Sequence, residues 1–298
     1  MKKKFFNYSI ISVLTAFLLA SCGQTETETT PNDPDSLTEI DSSNVMMNIG
    51  GSIFSIPSPI QTTMLIAELG AEFNADMLNS NNNLDNYSTD FHKAVNLGVY
   101  GCDLGYTAAY ENTDLSLKYL STIRNIASDI DLESAFDESL IERFSNNFGN
   151  RDSMLVLVSQ AYKGADNYLK ENEKDNIAAL VLAGGWIEAN YLSCRIVKQE
   201  NNDLIAERII EQKNSLYTLI NMLEQLGSND DYWDLSAELE ELYSLYDSIE
   251  FKSEYVPSVT DYENKTTTLK SKREIVSTPT QLNAIIEKLL LIRNEITQ

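Results

Sequence analysis

Two acidic residues, Asp103 and Glu188, lie inside apolar stretches of the chain, residues 95–110 and 180–197. A carboxyl group in such surroundings loses hydration and its pKa is expected to rise, so two of them facing one cavity could serve as general acid and general base. A glycosidase needs such a pair flanking the bond that it cleaves. The alternative, which we favour because the chain has 45 acidic residues, is that each carboxyl is hydrogen-bonded at a helix crossing or reaches solvent.

Glycines interrupt the same two stretches. Gly98, Gly101 and Gly105 fall in the first and Gly184 and Gly185 in the second. A glycine inside a helix costs about 1 kcal/mol relative to alanine, so something must offset it. The favoured explanation is a close approach of two helices along a flat strip formed by Gly101, Gly105 and Ala109, and the alternative is room for a ligand.

Aromatic side chains flank these glycines. Tyr100, Tyr106, Trp186 and Tyr191 carry both a ring and a polar tip, which suits a sugar or a peptide. We therefore name these four as candidate ligand-binding residues. Aromatic residues at helical spacing are more often part of a core, and that is the competing interpretation.

The remaining reactive side chains offer little. Cys102 and Cys194 lie in apolar helical stretches and are expected to be buried free thiols, although an exported protein could pair them. Two cysteines and the single His92 cannot build a structural zinc site of the Cys/His type, and no metal or other cofactor is expected. His92, beside Lys93, is poorly placed as a general base, and the chain lacks the common hydrolase, zinc-protease, phosphate-loop, dinucleotide and EF-hand motifs.

The amino-terminal residues carry the most specific signal. Three lysines at positions 2–4 precede an apolar run from Phe5 to Leu19, which has the length of a signal-peptide core. The run closes with Leu19-Ala20-Ser21-Cys22, which resembles the lipobox of bacterial lipoproteins. In that group of proteins the cysteine thiol takes a diacylglycerol and the chain is cut just before it. Cys22 is therefore the predicted lipidation site, residues 1–21 are the predicted signal peptide, and the lipid would hold the protein on a membrane.

The residue after Cys22 and the net charge of the chain refine that prediction. Gly23 stands where an aspartate would favour retention in the inner membrane, so we expect the outer membrane, on its periplasmic or its surface-exposed side. Residues 22–50 are predicted to be a flexible acidic tether. The formal charge is −23, and −26 once the three signal lysines are removed. No nucleic-acid partner is expected at that charge, and the candidate partners are an envelope protein or a small ligand.

Apolar residues at three- and four-residue steps predict a mainly α fold with about eight helices, a helical bundle or stacked helix pairs. The predicted helices span residues 60–79, 88–111, 114–130, 138–147, 153–173, 176–199, 203–227, 231–249 and 279–298. Ser58-Pro59-Ile60-Gln61 and Thr278-Pro279-Thr280-Gln281 have the spacing of capping boxes, and Asp152, Asp175 and Asp203 are predicted helix caps.

Residues 253–277 lack a helical period and are predicted to form a β-hairpin or an extended segment, which could pair with residues 53–56. Residues 51–298 are expected to form a single helical domain, closed by the helix 279–298. An offset of about 90 residues between similar helix triplets suggests an internal two-fold repeat, with halves 58–150 and 151–252.

Two segments also resemble a known family. Asn96-Leu-Gly-Val-Tyr-Gly-Cys-Asp-Leu-Gly-Tyr106 and Leu182-Ala-Gly-Gly-Trp-Ile-Glu-Ala-Asn-Tyr-Leu192 are similar to those of a family of helical lipoproteins from Bacteroidota that has no known activity. The resemblance covers most of residues 55–297. The resemblance implies the membrane location and the helical fold, and it supplies no functional residue. The sequence thus predicts a lipid-anchored envelope protein with a binding or structural role, and a glycosidase-like hydrolase using Asp103 and Glu188 is the alternative.

Overall fold

The structure is a computed structural model, and it describes residues 44–49, 51–133, 138–147, 150–172, 174–227, 230–261 and 266–298. Within these ranges the chain forms ten α-helices: α1 (Pro59–Glu68), α2 (Asp90–Ala109), α3 (Thr113–Asp129), α4 (Glu138–Asn146), α5 (Arg151–Glu171), α6 (Asp175–Glu200), α7 (Asp203–Glu211), α8 (Lys213–Glu224), α9 (Asp230–Leu245) and α10 (Pro279–Ile296). Four strands accompany them: β1 (Val45–Ile49), β2 (Ser52–Ile56), β3 (Glu250–Asp261) and β4 (Thr266–Val276). The mainly α fold with a small hairpin is confirmed. The predicted signal peptide, Cys22 and most of the predicted tether lie outside the described residues.

The centre of the body is helix α6, which packs against α1, α2, α5, α7, α8 and α10. This helix is enclosed because apolar side chains point from it in every direction, and a helix that is apolar all round must be buried. Examples are Leu182, Ile187, Leu192 and Ile196. It is also the one helix among the described residues that is long and apolar enough to cross a membrane. Its apolar window is wholly buried inside the body, as expected of a core helix.

Helix α2 crosses α6 closely at Gly98 and Gly184, whereas Gly105 of the expected strip faces α1 and α5. A Cβ atom on Gly98 would lie 1.9 Å from the carbonyl oxygen of Val181, and one on Gly184 would lie 1.9 Å from the carbonyl oxygen of Val95. The contact is therefore reciprocal and brings backbone against backbone. Close approach of the two backbones accounts for Gly98 and Gly184. The internal two-fold repeat stays a prediction.

Several helix ends differ from the predictions. The first helix stops at Glu68 and not near residue 79, because Gly70 adopts a left-handed conformation (φ +78°) that ends it. Two short 3₁₀ turns follow, Ala75–Met77 and Asn81–Asn86. The predicted helix 203–227 is two helices, α7 and α8, which meet at Gln212.

The caps also differ in detail. Asn150 and Asn202 cap α5 and α7, since their side chains accept hydrogen bonds from the backbone N–H groups of Ser153 and Ile205. The predicted caps Asp152, Asp175 and Asp203 instead lie in the first turns, where a negative charge favours the helix dipole. Only one of the two predicted boxes forms among the described residues, at Thr278 and Gln281, because Ser58 makes no side-chain cap bond.

The strands form two separate antiparallel hairpins. Strand β1 pairs with β2, with Met47 opposite Phe54, and both side chains are buried. The folded body therefore begins inside the segment 22–50 that was expected to be tether, because alternate residues of β1 have a core to face. Residues 53–56 pair with β1, so the expected pairing with residues 253–277 is wrong. Strands β3 and β4 form the predicted hairpin with each other, and its turn lies outside the described residues.

Candidate functional site

Three charged residues meet in the interior, each from a different helix: Asp103 from α2, Glu188 from α6 and Arg293 from α10. Asp103 and Glu188 are both 0 % exposed and Arg293 is 7 % exposed. The Arg293 guanidinium donates two hydrogen bonds to Glu188, from Nε to Oε2 at 2.9 Å and from Nη2 to Oε1 at 3.1 Å. This is the paired, planar geometry in which arginine holds a carboxylate most firmly. We call these three residues the buried polar centre.

The surroundings keep Arg293 charged. Its burial lowers the pKa, but the negative charge and the hydrogen bonds of Glu188 outweigh that effect, and the net shift of the Arg293 pKa is upward. The guanidinium carbon also lies 4.3 Å from the centre of the Tyr191 ring, whose negative face favours a cation. Glu188 and Arg293 thus form a buried ion pair, closed on one side by an aromatic ring.

Asp103, the third residue of the centre, has a raised pKa. Burial raises its pKa well above the ordinary value, and the nearby charge of Glu188 raises it further, while Arg293 and the backbone N–H of Asn79 lower it. Its Oδ2 atom accepts from that N–H at 3.0 Å. Its other oxygen, Oδ1, is buried and has no hydrogen-bond partner among the described residues. A proton on Asp103 that is donated to Glu188 satisfies this oxygen and leaves the whole centre neutral, as the interior requires.

Polar neighbours tie the centre to the end of the chain. Asn96 donates from Nδ2 to the carbonyl oxygen of Ile296 at 2.6 Å, and the Tyr87 hydroxyl donates to the carbonyl oxygen of Thr297 at 3.4 Å. Tyr119 donates to the carbonyl oxygen of Asn79 at 2.9 Å. These bonds fasten α10 and the loop after α1 onto α2 and α3, so the arrangement holds together segments that are distant in the sequence.

The four candidate ligand-binding residues are all in the interior. Tyr100 and Tyr106 are 0 % exposed, Trp186 is 2 % and Tyr191 is 5 %. Each polar tip has a partner within the protein. Tyr100 donates to the carbonyl oxygen of Ser80, Tyr106 accepts from the backbone N–H of Asn74, Trp186 donates to Gln212, and Tyr191 accepts from Arg195. In this conformation they pack the core, and a ligand-binding role for them stays a prediction.

Space beside the glycines is limited. Gly101 lines an apolar cavity between α2, α3, α5 and α6, and the cavity measures about 30 Å³. That volume admits a water molecule or two and no sugar or peptide, and its apolar lining makes it dry. Gly105 lies against the side chain of Thr63, and Gly185 lies against that of Pro59.

The surroundings of the remaining candidate residues, the two cysteines and His92, suit a structural role. Cys102 and Cys194 are free and buried, and burial raises the pKa of the Cys102 thiol well above its usual value, so neither is a ready nucleophile. His92 is bonded through Nδ1 to the hydroxyl of Thr89 beside the start of α2. Among the described residues no three His, Cys, Asp or Glu side chains are grouped as a metal site.

Arg293 is the member of the centre that the sequence analysis missed. A signal exists, since Arg293 continues the buried face of α10 that runs through Ile285, Leu289 and Ile292, where a lone basic residue is out of place. The juxtaposition of Asp103 and Glu188 was part of the hydrolase hypothesis, and the structure does bring them together. Comparisons with protein-family models, curated proteins and solved structures give no match, so the resemblance to the lipoprotein family stays a prediction.

Proposed function

We propose that this chain is a lipid-anchored protein of the cell envelope, whose helical body binds a partner protein or a small ligand and catalyses no reaction. This location is supported by the lysines at positions 2–4, the apolar run 5–19 and Cys22. The lipid on Cys22 would hold the protein at the outer membrane, on its periplasmic or surface side. About 20 residues separate Cys22 from β1, which is enough chain to keep the body clear of the lipid headgroups.

The observation that supports binding over catalysis is the closure of the buried polar centre. Glu188 is fully engaged by Arg293, and neither candidate carboxyl has exposed surface. The two carboxyls also lie close enough to affect each other, because the negative charge of Glu188 raises the pKa of Asp103. In this conformation neither carboxyl is accessible to a sugar.

The anchor is tested by growing cells with radioactive palmitate and recovering the protein. We expect label in the wild type and in Cys194→Ser, which removes a buried thiol, and none in Cys22→Ser. An unlabelled wild type, or label retained by Cys22→Ser, would contradict the proposal.

The absence of catalysis is tested with a panel of aryl glycosides. The wild type should release no chromophore beyond the background rate. Asp103→Asn serves as the control for a positive result, because it preserves the hydrogen-bonding pattern of a protonated carboxyl but cannot donate a proton in catalysis. Hydrolysis by the wild type that disappears in a folded Asp103→Asn variant would establish the hydrolase instead.

A further inference from the structure

The body also has an open groove whose lining includes neither Asp103 nor Glu188. Its floor is α6, one wall is α1 with the preceding Pro57, and the other wall is the junction of α7 and α8. The groove encloses about 550 Å³, which falls within the roughly 300–1,000 Å³ of ligand sites in proteins.

The floor of this groove is polar where the helix is otherwise apolar. Asn190 and Ser193 are only 4 % and 2 % exposed, and they interrupt the buried run of Ala189, Leu192 and Cys194 on α6. Buried polar groups are costly unless they are hydrogen-bonded. Asn190 donates from Nδ2 to the carbonyl oxygen of Trp186 at 2.8 Å, and Ser193 donates to that of Ala189 at 2.9 Å.

Those bonds leave capacity unused. A carboxamide has two N–H donors and an oxygen with two acceptor sites. No described group donates to the Asn190 side-chain oxygen, and that oxygen is not sealed from solvent, so it is available at the groove floor. Ser193 likewise keeps its acceptor lone pairs. Packing alone would be served better by apolar residues here, so the polar floor indicates a ligand.

The walls add two further carboxamides, Gln61 on α1 and Gln212 at the α7–α8 junction. Gln212 is held in place because its Oε1 accepts from Trp186 Nε1 at 3.3 Å and its Nε2 donates to the carbonyl oxygen of Arg208 at 3.3 Å. A carboxamide presents one donor beside one acceptor, which is the pattern that a peptide group presents in return. Three carboxamides around one groove therefore match the backbone of an extended polypeptide.

The rest of the lining favours a peptide over a sugar and over an anion. None of the described side chains that line the groove is aromatic, so they offer no flat face on which a sugar ring would stack. Met64 and Leu65 supply an adaptable apolar wall for varied side chains. Arg208 is paired with Glu211 at 2.5 Å, which leaves Glu68 as the uncompensated charge of the lining, on a body that is strongly acidic overall.

We propose that this groove binds an extended peptide segment, uncharged or basic, by hydrogen bonds from Gln61, Asn190 and Gln212 to the backbone of the peptide. The proposal rests on the binding role proposed above and names its ligand class and site. Trp186 is then a positioning residue, since it holds the Gln212 carboxamide from inside the core.

The test uses the mature lipoprotein in detergent micelles and an array of acetylated, amidated decapeptides of random sequence, with a glycan array beside it. We expect binding to uncharged or basic peptides. Gln61→Ala and Asn190→Ala should each weaken it about tenfold, which corresponds to roughly one lost hydrogen bond to a ligand. Asn283→Ala makes the same kind of change at an exposed position outside this groove and should stay within about twofold of the wild type.

Backbone recognition has its own readout. Methylating successive backbone nitrogens of the best peptide should weaken binding about tenfold at the positions that face the carboxamides, because each methyl group removes one donor. Glycans bound in place of peptides, no peptide bound above background, or equal losses in Gln61→Ala and Asn283→Ala would each overturn the proposal. If the lipoprotein still captures an envelope partner and Asn190→Ala captures it equally well, the groove is refuted while the proposed function stands.

Discussion

Asp103→Asn should make the stability of the body less dependent on pH. In the folded protein we expect Asp103 to keep its proton, because burial raises its pKa well above the ordinary value. In the unfolded chain its pKa is about 3.9, so the proton is lost at neutral pH. The folded state then binds a proton that the unfolded state has released, and stability falls as the pH rises from about 4 towards the folded-state pKa.

The size of the effect follows from linkage. One proton contributes about 1.4 kcal/mol of lost stability per pH unit across that window. Asparagine keeps the bond from the Asn79 N–H and the donation to Glu188, but it does not titrate. Its second N–H adds a constant cost of about 1–3 kcal/mol if it stays unpaired, which changes the offset between the two proteins and not the slope. The stability of the variant relative to the wild type should therefore grow by about 1.4 kcal/mol for every pH unit.

Urea unfolding between pH 5 and pH 8 measures this difference, with residues 23–298 expressed without the lipid and circular dichroism as the signal. The many exposed carboxylates affect both proteins equally and cancel. Asp85→Asn, which removes an exposed carboxylate, is the control and should run parallel to the wild type. If Asp103→Asn also runs parallel, Asp103 is ionised in the folded state and the shared proton is wrong.

Three further substitutions or treatments probe the same packing. Glu188→Gln should cost about 3–5 kcal/mol in urea unfolding, because it leaves the Arg293 charge buried without its partner, and adding Arg293→Met should recover much of the loss; a loss below 1 kcal/mol would mean that the ion pair is not buried. Gly184→Ala should cost more than about 2 kcal/mol, since its Cβ meets a backbone oxygen, whereas at Gly105 the same change meets the side chain of Thr63 at 3.3 Å and should cost less; equal losses would refute the close crossing. Cys102 and Cys194 should resist a thiol reagent in the folded protein and react at once in denaturant, and rapid labelling of the native form would show that they are not buried.

The sequence predicted what depends on local spacing. Helices α2, α6 and α10 were found from their apolar periodicity, and the glycines of α2 and α6 correctly indicated a close crossing. The end of α1 was missed because it depends on the backbone conformation of Gly70 alone. The break at Gln212 has no glycine or proline to announce it.

The sites depended on tertiary contacts and were harder to predict. Asp103 and Glu188 could be suspected because each is a charge in an apolar stretch. Their partner Arg293 is 105 residues beyond Glu188, and nothing in local spacing pairs the two. The residues of the groove were not predicted, because nothing in the sequence places Asn190 beside the walls formed by α1 and Gln212.

The central claim is that a lipid on Cys22 holds this helical body on a membrane. Mass spectrometry of the amino-terminal peptide of the protein, purified from membranes, tests it most directly. We expect a chain that starts at Cys22 and carries a diacylglycerol on its sulfur. A free thiol at Cys22, or a chain that still contains residues 1–21, would contradict it.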